Sequence, residues 1–571
     1  MRLDHIDRAR AGLRAAPRDL TPSRLLGAAG VATLIAGLAA WALGAGFAAL
    51  WLFGVAAVCA GLALPLPYAV VSPLFIGVVG WLVDMLPFVI LLGWAAVVLR
   101  WAAGVVRDRR LPRGGRWIWL PVGLAAWTVF GIISVPSNEL KHFVLLFGLQ
   151  GLASGVLLVV VDRLGSFQDR QKVITSLIVF VLVLSAGVLL QFVGIPVQSL
   201  QDETISTRVE DAYGLDAFPN NLEMIKYGLS SKAGARVFRN RMETFASQHP
   251  ELPPAEVFLP KFRAFENHIV IKFAGSARSF ESELNDVGVE LVYDNIGLTP
   301  ANTVPRMRSF ARNSLTYAGV CVVLFPLSFF IAWTGKDRRR RLLGWAGVVA
   351  CLFGSGFSLV RGSWIAILIG IAYLFVDGPV LRRRKTEVAI AFLTAALLLT
   401  GFFVARYEVD PLGARALGQG SVTTRASVYE DTVESLTGIQ VLFGFGTERP
   451  RTEEGTSHVS NRYVPDVGTH STYLNYLFRT GVPGALGVMA LYGIAWLHAR
   501  AAARSGVERD RLFAAMLAVA IFAGAAHAVI LNLFTEPIYT LTVCLLLGLA
   551  MAGASELRNS VLPWRKSPTA G

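Results

Sequence analysis

The feature that most constrains this chain is a succession of apolar runs, each long enough to cross a lipid bilayer. They fall near residues 25–43, 46–64, 67–84, 86–106, 117–135, 141–161, 172–194, 315–335, 341–359, 362–377, 387–405, 482–499, 511–530 and 537–554. About 20 apolar residues in helical form match the hydrocarbon thickness, and in lipid every backbone N–H and C=O must find its partner within the protein. The sequence therefore reads as an all-α, polytopic integral membrane protein of about fourteen spans. Its 571 residues are 54% hydrophobic and 16% charged, which argues against a soluble protein of this size.

The charges assign sides to these spans. The net charge is +14, but the basic residues gather in short clusters between apolar runs and are not interleaved with aromatics, so nucleic acid is not an expected partner. With the N-terminus inside, Arg107 to Arg116, Arg163 to Lys172, Lys336 to Arg341, Arg382 to Lys385, Arg500 to Arg511 and Arg558 to Lys566 all fall on the cytoplasmic side. That is the positive-inside pattern, expected of a multi-pass protein of the cytoplasmic (inner) membrane with both termini cytoplasmic. Arg2, Arg8, Arg10, Arg14, Arg18 and Arg24 precede the first run with no small-residue cleavage site after it, so the region reads as a tail. Cys59, Cys321, Cys351 and Cys544 lie singly in apolar runs and read as packing residues.

The same alternation divides the chain. Residues 1–24 form a cytoplasmic tail, 25–194 an N-terminal transmembrane bundle, and 195–314 an extracytoplasmic insert. Residues 315–405 form a transmembrane core, 406–470 a second extracytoplasmic loop, 471–556 the C-terminal transmembrane helices and 557–571 a cytoplasmic tail. The insert carries Val257, Phe258, Phe262, Phe265, Ile269, Ile271 and Phe273, enough to fold, and reads as mainly helical with breaks at Pro250, Pro253 and Pro254. The second loop contains a helical periodicity over Thr423 to Leu442, followed by a turn at Gly444 and Gly446.

Chemistry-bearing residues collect on the outer side of this topology. His470 and Ser471 stand where the second loop enters the membrane, and Gly481 and Gly484 around Val482-Pro483 should break the helix from Thr472 to Thr480. An imidazole titrates near neutrality and accepts a proton from a hydroxyl, so His470 is a candidate general base, with a helix-capping role as the alternative. Arg361, at an outer turn, violates the positive-inside bias and either meets an anionic partner or extends to the interface. Arg425 and Arg312 reach the same boundary, and guanidinium groups bind phosphate oxygens bidentately, which suits a diphosphate leaving group. His527 and Glu536 bracket the last outer turn; either can pair inside the bundle, and a structural role is expected of them.

These residues resemble the O-antigen ligase and polymerase superfamily of bacterial membrane glycan transferases. The family's C-terminal signature, a histidine followed by Asn, Ser or Gln, nine residues, then Gly, two residues and a small or aromatic residue, is met by His470, Ser471, Gly481 and Gly484. Its Arg-Gly-Xaa-Trp segment is met by Arg361-Gly362-Ser363-Trp364, with Ile365 where the family commonly has Leu. Arg425 and the run Phe443-Gly444-Phe445-Gly446 are similar to the family's loop helix and the turn after it. The resemblance implies a donor glycan on a polyprenyl diphosphate, a hydroxyl acceptor on lipid, glycan or protein, and a surrounding of membrane lipids. It also implies a metal-independent, inverting transfer with no cofactor. His470 would be the catalytic base; Arg361, Arg425 and Arg312 would hold the diphosphate; Ser471, Trp364, Gly481 and Gly484 would support them. The insert at 195–314 is longer than the family's corresponding loop. A lipid-linked oligosaccharide flippase or polysaccharide exporter is the competing reading, and it predicts charges spread through the membrane depth instead of gathered on one face.

Overall fold

The computed structural model describes residues 22–43, 45–80, 86–109, 116–135, 140–192, 309–311, 314–358, 360–377, 432–446, 471–504, 508–534 and 536–561. Shorter described stretches lie at 224–228, 256–258 and 268–272, with a few isolated residues besides, and every structural statement below refers to these positions. The chain forms two compact units, Met1–Arg113 with Asp162–Ser176, and Gly114–Val161 with Leu177–Gly571.

Among the described residues seven helices are long and apolar enough to cross a membrane, and five shorter apolar helices accompany them. The polytopic α-helical class read from the sequence is the fold observed. In the first unit α1 (Pro22–Ala42) and α2 (Gly46–Ala63) form a hairpin. A Cβ on Gly37 would lie 2.6 Å from the Phe53 ring, so the helices touch at glycine, the usual substitute for hydrophobic driving force inside lipid. The run at 67–84 is not one span: α3 (Leu66–Ala69) and α4 (Ser72–Gly80) replace its first part. Pro67 and Pro73 each sit in the first turn of their short helix, where the missing N–H is harmless, so the prolines restart the helix instead of continuing it. α5 (Leu86–Arg107) covers this region, and Trp94 Nε1 donates to the Val70 carbonyl at 2.8 Å.

The second unit takes in α6 (Trp119–Phe130), most of α7 (Leu140–Arg163) and the greater part of α8 (Phe167–Phe192). These are followed by α9 (Ser314–Thr334), α10 (Arg338–Phe357) and α11 (Arg361–Asp377). After the second loop come α12 (Gln440–Phe443), α13 (Thr472–Arg504), α14 (Glu508–Ile530) and α15 (Pro537–Val561). In α9 almost every residue is buried, including Ser314, Thr316 and Ser328, and the helix forms the axis of the unit. A Cβ on Gly347 of α10 would lie 2.8 Å from Ser328 Oγ, and one on Gly344 would collide with the Ala332 backbone, so α9 and α10 pack backbone to backbone. Tyr317 of α9 bonds Ser185 of α8 at 2.9 Å. The Asp337 carboxylate caps α10 by accepting from Arg340 N at 2.7 Å. All four cysteines are free and buried, as packing residues should be.

In the insert, the described residues form three antiparallel strands, β1 (Met224–Gly228), β2 (Glu256–Phe258) and β3 (His268–Lys272), in the order β1-β3-β2. This small sheet was not part of the helical reading of the insert. Ile269, Val270 and Ile271 are consecutive β-branched residues in β3, and that composition favours strand over helix. The apolar run at 387–405 lies almost wholly outside the described residues.

Candidate functional site

The last turn of α14 is the point on which two sequence motifs converge. From the start of α13, Ser471 Oγ donates to the Ala528 carbonyl at 3.5 Å, Thr472 Oγ1 to the Leu531 carbonyl at 2.9 Å, and Tyr473 OH to the Ala525 carbonyl at 3.1 Å. The final carbonyls of a helix have no intrahelical donor, and Ser471 fills that deficit at Ala528, while Thr472 bonds the first carbonyl beyond the helix and Tyr473 one a turn back. From α11, Ser363 Oγ lies 2.9 Å from His527 Nε2, both side chains being fully buried. A Cβ on Gly362 would stand 3.2 Å from Ile530 Cγ2, so the Arg361 segment is drawn close to the same turn. Trp364 Nε1 donates to the Ser355 carbonyl at 2.6 Å, fastening the opposite side of that segment to α10. His527 thus pairs inside the bundle, and its partner is Ser363. The start of α9 reaches the same end: a Cβ on Gly319 would lie 2.6 Å from Leu533 Cδ1.

α13 is broken where the sequence predicts. Gly481 has φ 69° and ψ −173°, outside helical space, and Pro483 brings no N–H for the Arg479 carbonyl. The carbonyls so released are taken up from elsewhere: Phe478 O accepts from Phe445 N at 2.8 Å and Arg479 O from Gly446 N at 2.9 Å. Thr480 O accepts from Trp127 Nε1 at 3.0 Å. Around these bonds Phe445 stacks on Phe478 at 4.5 Å and Trp127 on Phe443 at 5.2 Å. Gly444 has φ 67°, and a Cβ there would meet the Phe478 carbonyl at 2.5 Å, so the Phe-Gly-Phe-Gly run is dictated by the backbone it docks against. Gly484 is required by a different contact, since a Cβ would collide with Thr480 Oγ1, which is itself held on the Tyr476 carbonyl at 2.7 Å.

The helix read over Thr423 to Leu442 is interrupted within its described part. Residues 432–434 are helical, and Gly438, at φ 54°, separates them from α12. Glycine enters that conformation at no steric cost and ends the helical run. His470, Arg425 and Arg312 lie outside the described residues, and of Arg361 only the backbone, the first residue of α11, is described. The supporting positions Ser471, Trp364, Gly481 and Gly484 are described and do what the preceding paragraphs set out.

Sequence reasoning passed over Ser363, Thr472, Tyr473 and Trp127, and it gave Arg479 no role. The run of three hydroxyls opening an apolar helix was the available signal for the first contacts. Ser471, Asn475 and Arg479 recur at four-residue intervals, 3%, 1% and 2% exposed, so one polar stripe of this half-helix is buried. The Arg479 guanidinium lies 5.8 Å from the centre of the Tyr476 ring. Burying an arginine is costly unless its charge is compensated, so this half-helix carries more than apolar packing.

Fold and site together define a polytopic helical membrane protein whose broken helix α13 and helix α11 share one anchoring turn. Residues 346–489 match the O-antigen ligase family, a segment that holds Arg361, Trp364, Arg425, His470, Ser471, Gly481 and Gly484. The resemblance read from the sequence is borne out over this segment. The chain is also 27% identical, over 203 residues, to a galactan 5-O-arabinofuranosyltransferase of Mycolicibacterium smegmatis. That alignment takes in 36% of this chain and about a quarter, 26%, of the relative's length.

Proposed function

We propose that the protein is a membrane glycosyltransferase that moves a saccharide from a polyprenyl diphosphate to a hydroxyl acceptor on the outer side of the membrane, as a ligase or a repeat-unit polymerase. The observation that carries this reading is the O-antigen ligase match over 346–489, which contains both motif segments that meet on the last turn of α14. In this scheme His470 takes the proton from the acceptor hydroxyl as its oxygen attacks the anomeric carbon from the face opposite the leaving group. The bond from that carbon to the diphosphate oxygen breaks, and configuration inverts. Arg361, Arg425 and Arg312 bind the diphosphate and offset the charge that grows on it, the part a divalent cation plays in other transferases. The relative's name supports a saccharide donor and a sugar hydroxyl acceptor as a substrate class.

Purified full-length protein in lipid nanodiscs, given a polyprenyl-diphosphate-linked saccharide and acceptor, tests the reading by mass spectrometry of the products. H470A should lose transfer while inserting and folding normally; transfer at the wild-type rate in that variant rejects His470 as the base. Movement of labelled donor across liposomes without any change in covalent attachment would instead favour the transporter reading.

A further inference from the structure

We propose that His527 is a positioning residue for the diphosphate end of the site, acting through Ser363 on Arg361; this rests on the donor-binding reading of Arg361 given above. His527 lies within the apolar run of α14 and is fully buried. A polar ring in such a place is costly unless it is hydrogen-bonded, and its Nε2 meets Ser363 Oγ at 2.9 Å. Ser363 is two residues into the first turn of α11, the turn that Arg361 opens. The bond therefore fixes the height and rotation of that turn against α14.

The placement of His527 within α14 gives the bond its consequence. The next residue, Ala528, supplies the carbonyl that receives Ser471, and Leu531, whose N–H bonds the His527 carbonyl at 3.0 Å, supplies the one that receives Thr472. One helical turn thus sets the position of the segment opened by Arg361 and of the segment that follows His470. His527 Nδ1 makes no hydrogen bond among the described residues. With its proton on Nε2 the ring donates to Ser363 Oγ and leaves only an acceptor unsatisfied, which is better tolerated than an unsatisfied donor. Glutamine, whose amide nitrogen reaches nearly as far as Nε2, should supply the same donor.

The test uses the full chain in nanodiscs and a polyprenyl diphosphate without sugar as the probe. H527F, S363A, H527Q and R361A are compared for probe affinity and melting temperature. H527F and S363A should each weaken binding about tenfold, the double variant no further, and H527Q should restore affinity to within about threefold of wild type. S363A removes one atom and guards against an H527F variant that fails to fold. If R361A loses the probe while S363A and folded H527F bind it as wild type does, the positioning role is refuted and the donor site stands. If R361A itself binds as wild type does, the donor-site reading falls and takes this inference with it. Losses in S363A and H527F that simply add in the double variant, with no recovery in H527Q, would mean separate packing defects and would also refute the role.

Discussion

At the scale of single residues, the glycines of the signature divide into two kinds. Gly481 and Gly444 hold backbone conformations that residues with a side chain rarely adopt, and both face carbonyl oxygens of a neighbouring segment. Gly484 is helical and is required because Thr480 fills the space where a Cβ would go. G481A should therefore destabilise the protein by about 1–3 kcal/mol, read as a lower midpoint in denaturant unfolding of the detergent-solubilised chain. Pairing G484A with T480A should relieve it only in part, because the Cβ at position 480 would still stand 2.5 Å from the new methyl; the same pairing should leave G481A unrelieved. The break at Gly481 was legible from glycine and proline spacing alone. The partners of the released carbonyls were not, since Trp127 stands 353 positions before Thr480 and nothing local links them.

At the scale of elements, the contacts that matter are between helices far apart in sequence. α9 and α10 approach as closely as backbones allow at Gly344. G344A should push them apart and cost about 1–3 kcal/mol, an overpacking penalty visible as a lower melting temperature. Removing one hydroxyl from the opening of α13 should be milder: T472A should cost about 0.6 kcal/mol, the average for an interhelical hydrogen bond in a membrane protein. Helix positions were readable because the hydrophobic period records them. The two proline-started helices at 66–80 show where that signal misleads, since hydropathy does not register a restarted helix. The meeting of α11 and α13 on α14 was expected only from charge bookkeeping, which assigns a side of the membrane and not a neighbour. The sheet in the insert escaped because the β-branched run Ile269-Val270-Ile271 in β3 is short beside the helical periods around it.

At the scale of the whole molecule, topology is the property most open to test. The four native cysteines are buried, so they contribute little background to labelling by a membrane-impermeant maleimide. A cysteine replacing Glu453 should label in intact cells and one replacing Arg340 only after the membrane is opened; the reverse pattern would overturn the assigned orientation. The buried axis α9 also has a bearing on how the protein is made. Its surroundings include α14, through Phe330 stacked edge-on against Phe513 at 5.3 Å, and α15, through Gly319 against Tyr539. Both are synthesised well over a hundred residues after α9, a delay of roughly ten seconds or more at ribosomal speed. For that interval the future centre of the protein must wait with one flank against lipid. Thr334 bonds the Phe330 carbonyl of its own helix at 2.8 Å and is satisfied without a neighbour, whereas Ser314 Oγ and Ser328 Oγ find no partner among the described residues. The order of synthesis therefore bears, as much as the finished packing does, on how long the polar groups of this axis go without a partner.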